Sequence, residues 1–239
     1  MTGTLSQRIA HSASFALVAS ITILSLIFMS FMMAEPAISH GQVLEDTSTF
    51  TVRQQITDES SFTTNASNVT MVGSLNGVTG GNATGTTGFT IRTNNATGWH
   101  VTIDFFDNAG DYAMYGEADG DESIRDYSGD SGGEPSYNFT ASTAAQFAYS
   151  VQASSTSELD QSFRDNATNA CNQLAGGQTN FRCWKAPSTS EFQILDSDSS
   201  ASTGASSTVT FNVRVPNNPN PTPSAQWYTA TATLSLYTH

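Results

Sequence analysis

Apolar and polar residues alternate at period two through most of the chain after residue 49. In "TFTVRQQIT" (49–57) Phe50, Val52 and Ile56 share one face. "GFTIRTN" repeats the pattern with Phe89 and Ile91, and "GWHVTIDFF" carries it through Trp99, Val101, Ile103 and Phe105. "QFAYSVQA" contributes Phe147, Tyr149 and Val151, and "STVTFNVRV" contributes Val209, Phe211, Val213 and Val215. The last run, "WYTATATLSLY", sets Tyr228, Ala230, Ala232, Leu234 and Leu236 against Thr229, Thr231, Thr233 and Ser235. Alternation with threonine on the outer face predicts half-buried antiparallel strands. Gly- and Asn-rich clusters such as "NGVTGGNATG" and "TNNATG" supply the turns. Helical periodicity is confined to "STSELDQSFRDNATNACNQL" (155–174), which predicts at most a short helix capped by Ser or Thr ahead of Glu158.

These patterns predict an all-β fold: a two-sheet antiparallel β-sandwich, immunoglobulin-like or jelly-roll-like, of about seven to ten strands. The sandwich is expected over residues 49–239. "VPNNPNPTPSAQ" (215–226) is a connector before the last strand, and no repeat of 20–50 residues is visible.

The beginning of the chain breaks the pattern. Residues 14–33 carry no charge, after a start with Arg8 and His11 and no acid. Ala34 and then Glu35-Pro36 end the run. Residues 1–34 therefore read as an export signal cleaved after Ala34, or as an uncleaved N-terminal membrane anchor. Either places the remainder outside the cytoplasm, with residues 35–48 as an extended segment leading into the sandwich. A type IV prepilin start is disfavoured, because the apolar run lacks an early Glu and a preceding Gly.

Charge narrows the partners. The chain carries 21 acidic and 8 basic residues, a formal net charge of −13. Lys185 is the sole lysine, and no basic stripe with interleaved aromatics exists. A phosphate backbone is repelled by such a chain, so nucleic acid is excluded as a partner. Cys171 and Cys183 are the two cysteines, and in an oxidising compartment they are expected to pair. Closing that loop stabilises by about 3 kcal/mol in the chain-entropy model. The result would be a small disulfide-closed insertion between strands.

Asn-x-Ser/Thr triplets begin at Asn65, Asn68, Asn82, Asn95, Asn138 and Asn166. They are glycan acceptors in a eukaryotic secreted protein. A chain rich in Asn, Thr and Ser also spells the triplet by chance.

The densest chemistry lies in "DFFDNAGDYAMYGEADGDESIRDYSGDSGGE" (104–134), which holds ten carboxylates and one compensating Arg125. Crowded carboxylates become favourable when a hard cation bridges them. Asp107, Asp111, Asp119, Asp121 and Asp130 are the candidate calcium ligands, although the EF-hand spacing is not met. The alternative is a solvated acidic loop that keeps the protein soluble. No other cofactor is indicated. Paired acids also suit a glycosidase, but any acidic loop offers such pairs. Trp99, Trp184 and Trp227 could stack on sugars, with core packing the commoner role at strand starts.

Within the same segment, Gly129-Asp130-Ser131-Gly132-Gly133 matches the surroundings of the nucleophilic serine in trypsin-like proteases. That chemistry needs a histidine base and an orienting Asp. The histidines are His11, His40, His100 and His239, and none has the required place or context. His100 sits on a strand whose period-two neighbours are polar, so it is expected to face solvent. A Gly-x-Ser-x-Gly elbow would need α/β alternation, which is missing. The pentapeptide is better explained as turn chemistry before a strand near Tyr137–Phe139. No catalytic residue is assigned, and the chain reads as a non-enzyme.

Several stretches carry a resemblance: "TFTVRQQITDESSF", "VTMVGSLNGVTGGNATG", "IRTNNATGWHVTIDF", "YNFTASTAAQFAYSV", "LDQSFRDN" and "VTFNVRVPNNPNPTPSAQWYTATATLSL". From about residue 49 to the end, the chain resembles uncharacterised secreted surface proteins of Patescibacteria-type bacteria. The resemblance implies a signal peptide plus one β-sandwich and a part in surface structures. It implies no catalytic residues. More distantly, in layout alone, the chain is similar to fibre-forming camelysin-type matrix proteins and strand-donating pilins. In both, an extended segment precedes the sandwich, here "EPAISHGQVLEDTSTFTV" (35–52). Such a segment can complete a neighbour's sheet edge.

The expected function is therefore a structural subunit of an extracellular cell-surface assembly, either a fibre or pilus built by donor-strand exchange or a surface-layer lattice. The expected partners are copies of itself, with the membrane touched only through the N-terminal segment. The alternative is a secreted adhesin that binds calcium, a glycan or a host surface through the acidic loop.

Overall fold

The computed structural model describes residues 20–29, 47–107, 112–130, 133–179 and 182–239. The chain divides into two compact units, Met1–Gln54 and Gln55–His239. In the first unit residues 20–29 are helical with exposed side chains. Among the described residues no helix is long and apolar enough to cross a membrane. Ala34 and residues 35–46, which carry the predicted cleavage point and the start of the extended segment, lie outside the described residues.

The strand expected over residues 49–57 is not formed. Residues 47–59 belong to no strand, and the first strand begins at Ser60. Phe50, Val52 and Ile56 are 82–85% exposed. Alternation makes a strand only where a neighbour pairs its backbone and covers its apolar face.

The second unit is built of strands β1 (Ser60–Thr64), β2 (Val72–Asn76), β3 (Gly80–Thr93), β4 (Trp99–Phe105), β5 (Met114–Gly116), β6 (Ser123–Asp126) and β7 (Ser136–Tyr137). It continues with β8 (Gln146–Ala153), β9 (Cys183–Trp184), β10 (Phe192–Ser197), β11 (Ala201–Val215), β12 (Tyr228–Ala230) and β13 (Ala232–Thr238). Eight strands form one curled sheet in the order β1-β3-β11-β8-β6-β5-β12, with β2 added beside β3. A second sheet runs β10-β4-β13, and β7 pairs with β9.

Two features depart from the expected pattern. Pairing is antiparallel except between β6 and β8, which run parallel at Arg125–Gln146 and Asp126–Phe147. The single last strand expected over 227–237 is instead two. β12 pairs with β5 in the large sheet, whereas β13 pairs with β4 in the small one. Thr231, whose carbonyl accepts from the Phe106 amide, marks the crossing. The apolar/polar alternation of the sequence runs unbroken from Tyr228 to Leu236, so it does not reveal the switch, although burial along β12 and β13 does not follow it.

One apolar cluster joins the two sheets. It takes Phe89 and Ile91 from β3, Trp99, Val101, Ile103 and Phe105 from β4, Phe147, Tyr149 and Val151 from β8, Leu195 from β10, and Val209 and Val213 from β11. The Phe105 ring meets those of Phe147, Tyr149 and Phe211 at centroid distances of 5.2–6.5 Å. Segment 65–71 crosses β3 at Gly85, where a Cβ would lie 2.3 Å from Val69 Cγ1. Glycine is therefore the residue that lets that crossing close.

A second, smaller cluster of Tyr127, Phe139, Ala148 and Trp184 packs apart from the main core. The expected helix at 155–174 is a single 3₁₀ turn, Gln161–Phe163, and its cap is Asp160 rather than a residue ahead of Glu158. Asp160 wins because its carboxylate reaches the Ser162 amide at 2.9 Å. Cys171 and Cys183 form the disulfide that fastens this loop to β9.

Candidate functional site

The described part of the acidic segment contains β5, a turn and β6, and this spreads its carboxylates over separate tasks. Glu122 accepts hydrogen bonds from the Ser224 amide and hydroxyl, Gln226 Nε2 and Tyr228 Oη. Those donors, led by Ser224, hold its carboxyl below the ordinary range. The Pro-rich connector is thereby tied to the β5–β6 turn. Asp119 and Asp121 are exposed on that turn, where Asp119 Oδ1 accepts from the Asp121 amide at 3.2 Å.

Asp126 and Asp107 line one cleft of about 200 Å³ with Phe105, Ala113, Pro187, Ser188 and Thr189. Burial pushes the Asp126 carboxyl up to about 6. The Ala113 amide opposes the rise, and the charges of Asp107 and Asp130 add to it. A half-buried carboxyl that titrates near 6 can hold a proton at mildly acidic pH.

Asp130 has a different partner. Its carboxylate lies 3.2 Å from Lys185 Nζ, with the two side chains 14% and 6% exposed. The same ammonium sits over the Phe192 ring, 4.8 Å from its centroid. Lys185 reaches this position because its backbone pairs with Tyr149, extending β9 along β8. The sole lysine thus binds the loop that spells Gly129-Asp130. The signal in the sequence was only its solitude.

Of the five candidate calcium ligands, the structure puts Asp119 and Asp121 on one turn, Asp107 in the cleft and Asp130 on Lys185. Asp111 lies outside the described residues. Among the described residues no group of three or more His, Cys, Asp or Glu is arranged to hold a metal ion. Ser131 and Gly132 of the protease-like pentapeptide also lie outside the described residues, while Gly133 has φ +85°, a left-handed turn conformation that suits glycine. His100, expected to face solvent, is half-buried on β4. It stacks on Tyr237 and lies 3.2 Å, Nδ1 to Nε2, from His239.

The six triplet asparagines differ in setting. Asn65, Asn68, Asn82, Asn138 and Asn166 are exposed, whereas Asn95 is buried and its Oδ1 accepts from both the amide and the hydroxyl of Thr97. Asn138 Oδ1 accepts from Arg182, and Asn166 Oδ1 accepts from three following amides. Of the three tryptophans, Trp99 and Trp184 are buried and Trp227 is 72% exposed. Trp227 is held beside the acidic turn by the Glu117 amide, which donates to its carbonyl. Nearby, the exposed Phe106 meets the Tyr115 ring at 6.5 Å.

The disulfide loop is organised by buried Asp165, which accepts from the Ala167 amide and from both the amide and the hydroxyl of Thr179. These bonds use its oxygens for loop closure. The chain shows no match to a protein-family model, to a curated protein or to a solved structure.

Proposed function

We propose that the chain is a non-enzymatic structural subunit of an extracellular assembly, built by adding a strand of one copy to a sheet of another. The observation that carries this reading is the segment 47–59: strand-like in composition, in no strand, with Phe50, Val52 and Ile56 exposed. Exposed apolar residues at alternate positions suit β-augmentation, in which main-chain bonds give affinity and alternate side chains give register. The two sheets are read as the halves of an immunoglobulin-like or jelly-roll-like sandwich, which is supported by Phe105 meeting three rings of the larger sheet. An oxidising, extracellular address is supported by the Cys171–Cys183 disulfide. The resemblance to secreted surface proteins agrees with it.

Multi-angle light scattering and negative-stain microscopy of the purified full chain test this reading. Filaments or lattices that grow with protein concentration are expected. A chain that stays monomeric at all concentrations would overturn it.

A second reading, a glycan-binding adhesin, is favoured by one observation: Trp227 is exposed beside a turn of carboxylates and amides, the mixture of flat apolar face and hydrogen-bonding rim that sugars use. Binding of a glycan array by a monomeric protein, lost in Trp227→Ala, would favour it over assembly.

A further inference from the structure

We infer that the outer edge of β2 is the receiving edge, and that its occupant is residues 49–57 of a second copy. This rests on the assembly reading above and names the two surfaces that would meet.

Among the described residues β2 has β3 as its one strand neighbour, which leaves its other edge without a strand partner there. Soluble proteins guard such edges with charge, proline, a bulge or a covering element. Here no charged residue occurs from Ser60 through Ile91, a stretch that contains all of β1, β2 and nearly all of β3. On β2 itself Val72 is 78% exposed and Leu75 42%, so the uncharged edge strand is also apolar.

The remaining edges are less suited. β1 also ends the large sheet and carries no charge, but it lies against β13 and directly follows Asp58 and Glu59. β12 runs beside the acidic turn at Glu117 to Glu122. β10 contains Asp196 and is bracketed by Glu191 and Asp198. β13 lacks charge but lies against β1, which follows Asp58 and Glu59. The edge of β2 combines openness, apolar exposure and absence of charge.

Charge also selects the occupant. Two copies of a chain with net charge −13 repel one another, and they approach most easily where neither presents a carboxylate. Residues 49–57 contain Arg53 and no acid. Their Thr, Phe, Val and Ile content suits a strand, and they form none in the single chain. Nine residues exceed the five of β2, enough to run its full length.

The test is intermolecular crosslinking in the full-length chain. Val52→Cys protein is mixed with Ser74→Cys protein under mild oxidation, and products are identified by mass. A mixed dimer of the two variants is expected, and a Val72→Lys change added to the Ser74→Cys partner should cut its yield roughly tenfold while leaving the thermal midpoint unchanged. No mixed dimer, or a yield unaffected by Val72→Lys, overturns the inference. Wild-type filaments that Val72→Lys does not disturb would leave assembly standing and reject this edge. If the wild type proves monomeric, the assembly reading fails, and a synthetic peptide of residues 47–59 titrated into the full chain decides the edge. Binding lost in Val72→Lys supports it, and no binding rejects it.

Discussion

Lys185 Nζ stands 3.2 Å from the Asp130 carboxylate, and both side chains are largely removed from water. An ion pair in that setting contributes little net stability compared with apolar residues of equal size, yet either half left alone is expensive. Lys185→Met should therefore destabilise by about 3 kcal/mol, as should Asp130→Ala. The double variant should lose clearly less than the sum. Urea unfolding of the four proteins checks this, and additive losses would show that the pair is not coupled.

Asp126 gives the stability a pH dependence of recognisable sign. Its carboxyl is raised from 3.8 to about 6 on folding, chiefly by burial. Between those values the folded chain holds a proton that the unfolded chain has lost. The contribution is therefore favourable at low pH and fades as pH rises through that window. Asp126→Asn keeps an acceptor for the Ala113 amide and removes the charge. It should stabilise at pH 7 by about 1–3 kcal/mol and flatten the pH profile between 4 and 6, as read from thermal midpoints.

The disulfide closes the loop between Cys171 and Cys183. Replacing both cysteines by Ser should lower stability by about 3 kcal/mol if the reduced loop gains the expected freedom. Calorimetry of the variant and of reduced wild type should agree. The Asp165 bonds to Ala167 and Thr179 should persist, keeping the loss near that value.

Trp99 and Trp227 should separate sharply on substitution. Trp99 is fully buried in the shared core, and Trp99→Phe should cost at least about 1 kcal/mol through the space it leaves. Trp227→Ala should change stability by no more than about 0.5 kcal/mol, since its side chain is mostly exposed. Quenching by iodide should likewise report Trp227 alone.

Period-two alternation located the cores of β3, β4, β8 and β11, because each buries every second residue against a common cluster. The same signal misplaced a strand at residues 49–57, since alternation describes what a strand could bury and says nothing of whether a partner is there. β5, β6 and β10 are short, and β5 and β6 lie within a segment dominated by acids. Their pairing depends on neighbours distant in the chain. The cysteine pair was legible because two thiols allow one intramolecular connection. The site was less so. Ten carboxylates in a row look alike in sequence, and only the fold distinguishes Glu122 bonded to the connector, Asp126 raised by burial and Asp130 held by Lys185.

β11 lies between β3 and β8, yet it comes late in the chain: Thr90 and its neighbour Ser206 are 116 positions apart. Strands β1 to β3 leave the ribosome long before their central partner exists. The chain must therefore carry its least charged stretch as bare strand-forming polymer for that interval, when the hazards are misregistered pairing and clumping with other nascent chains. Serine, threonine, asparagine and glycine throughout it keep such a stretch wettable without charging it. Strand order thus sets the delay, and the composition of that stretch sets the exposure, under which the protein must fold.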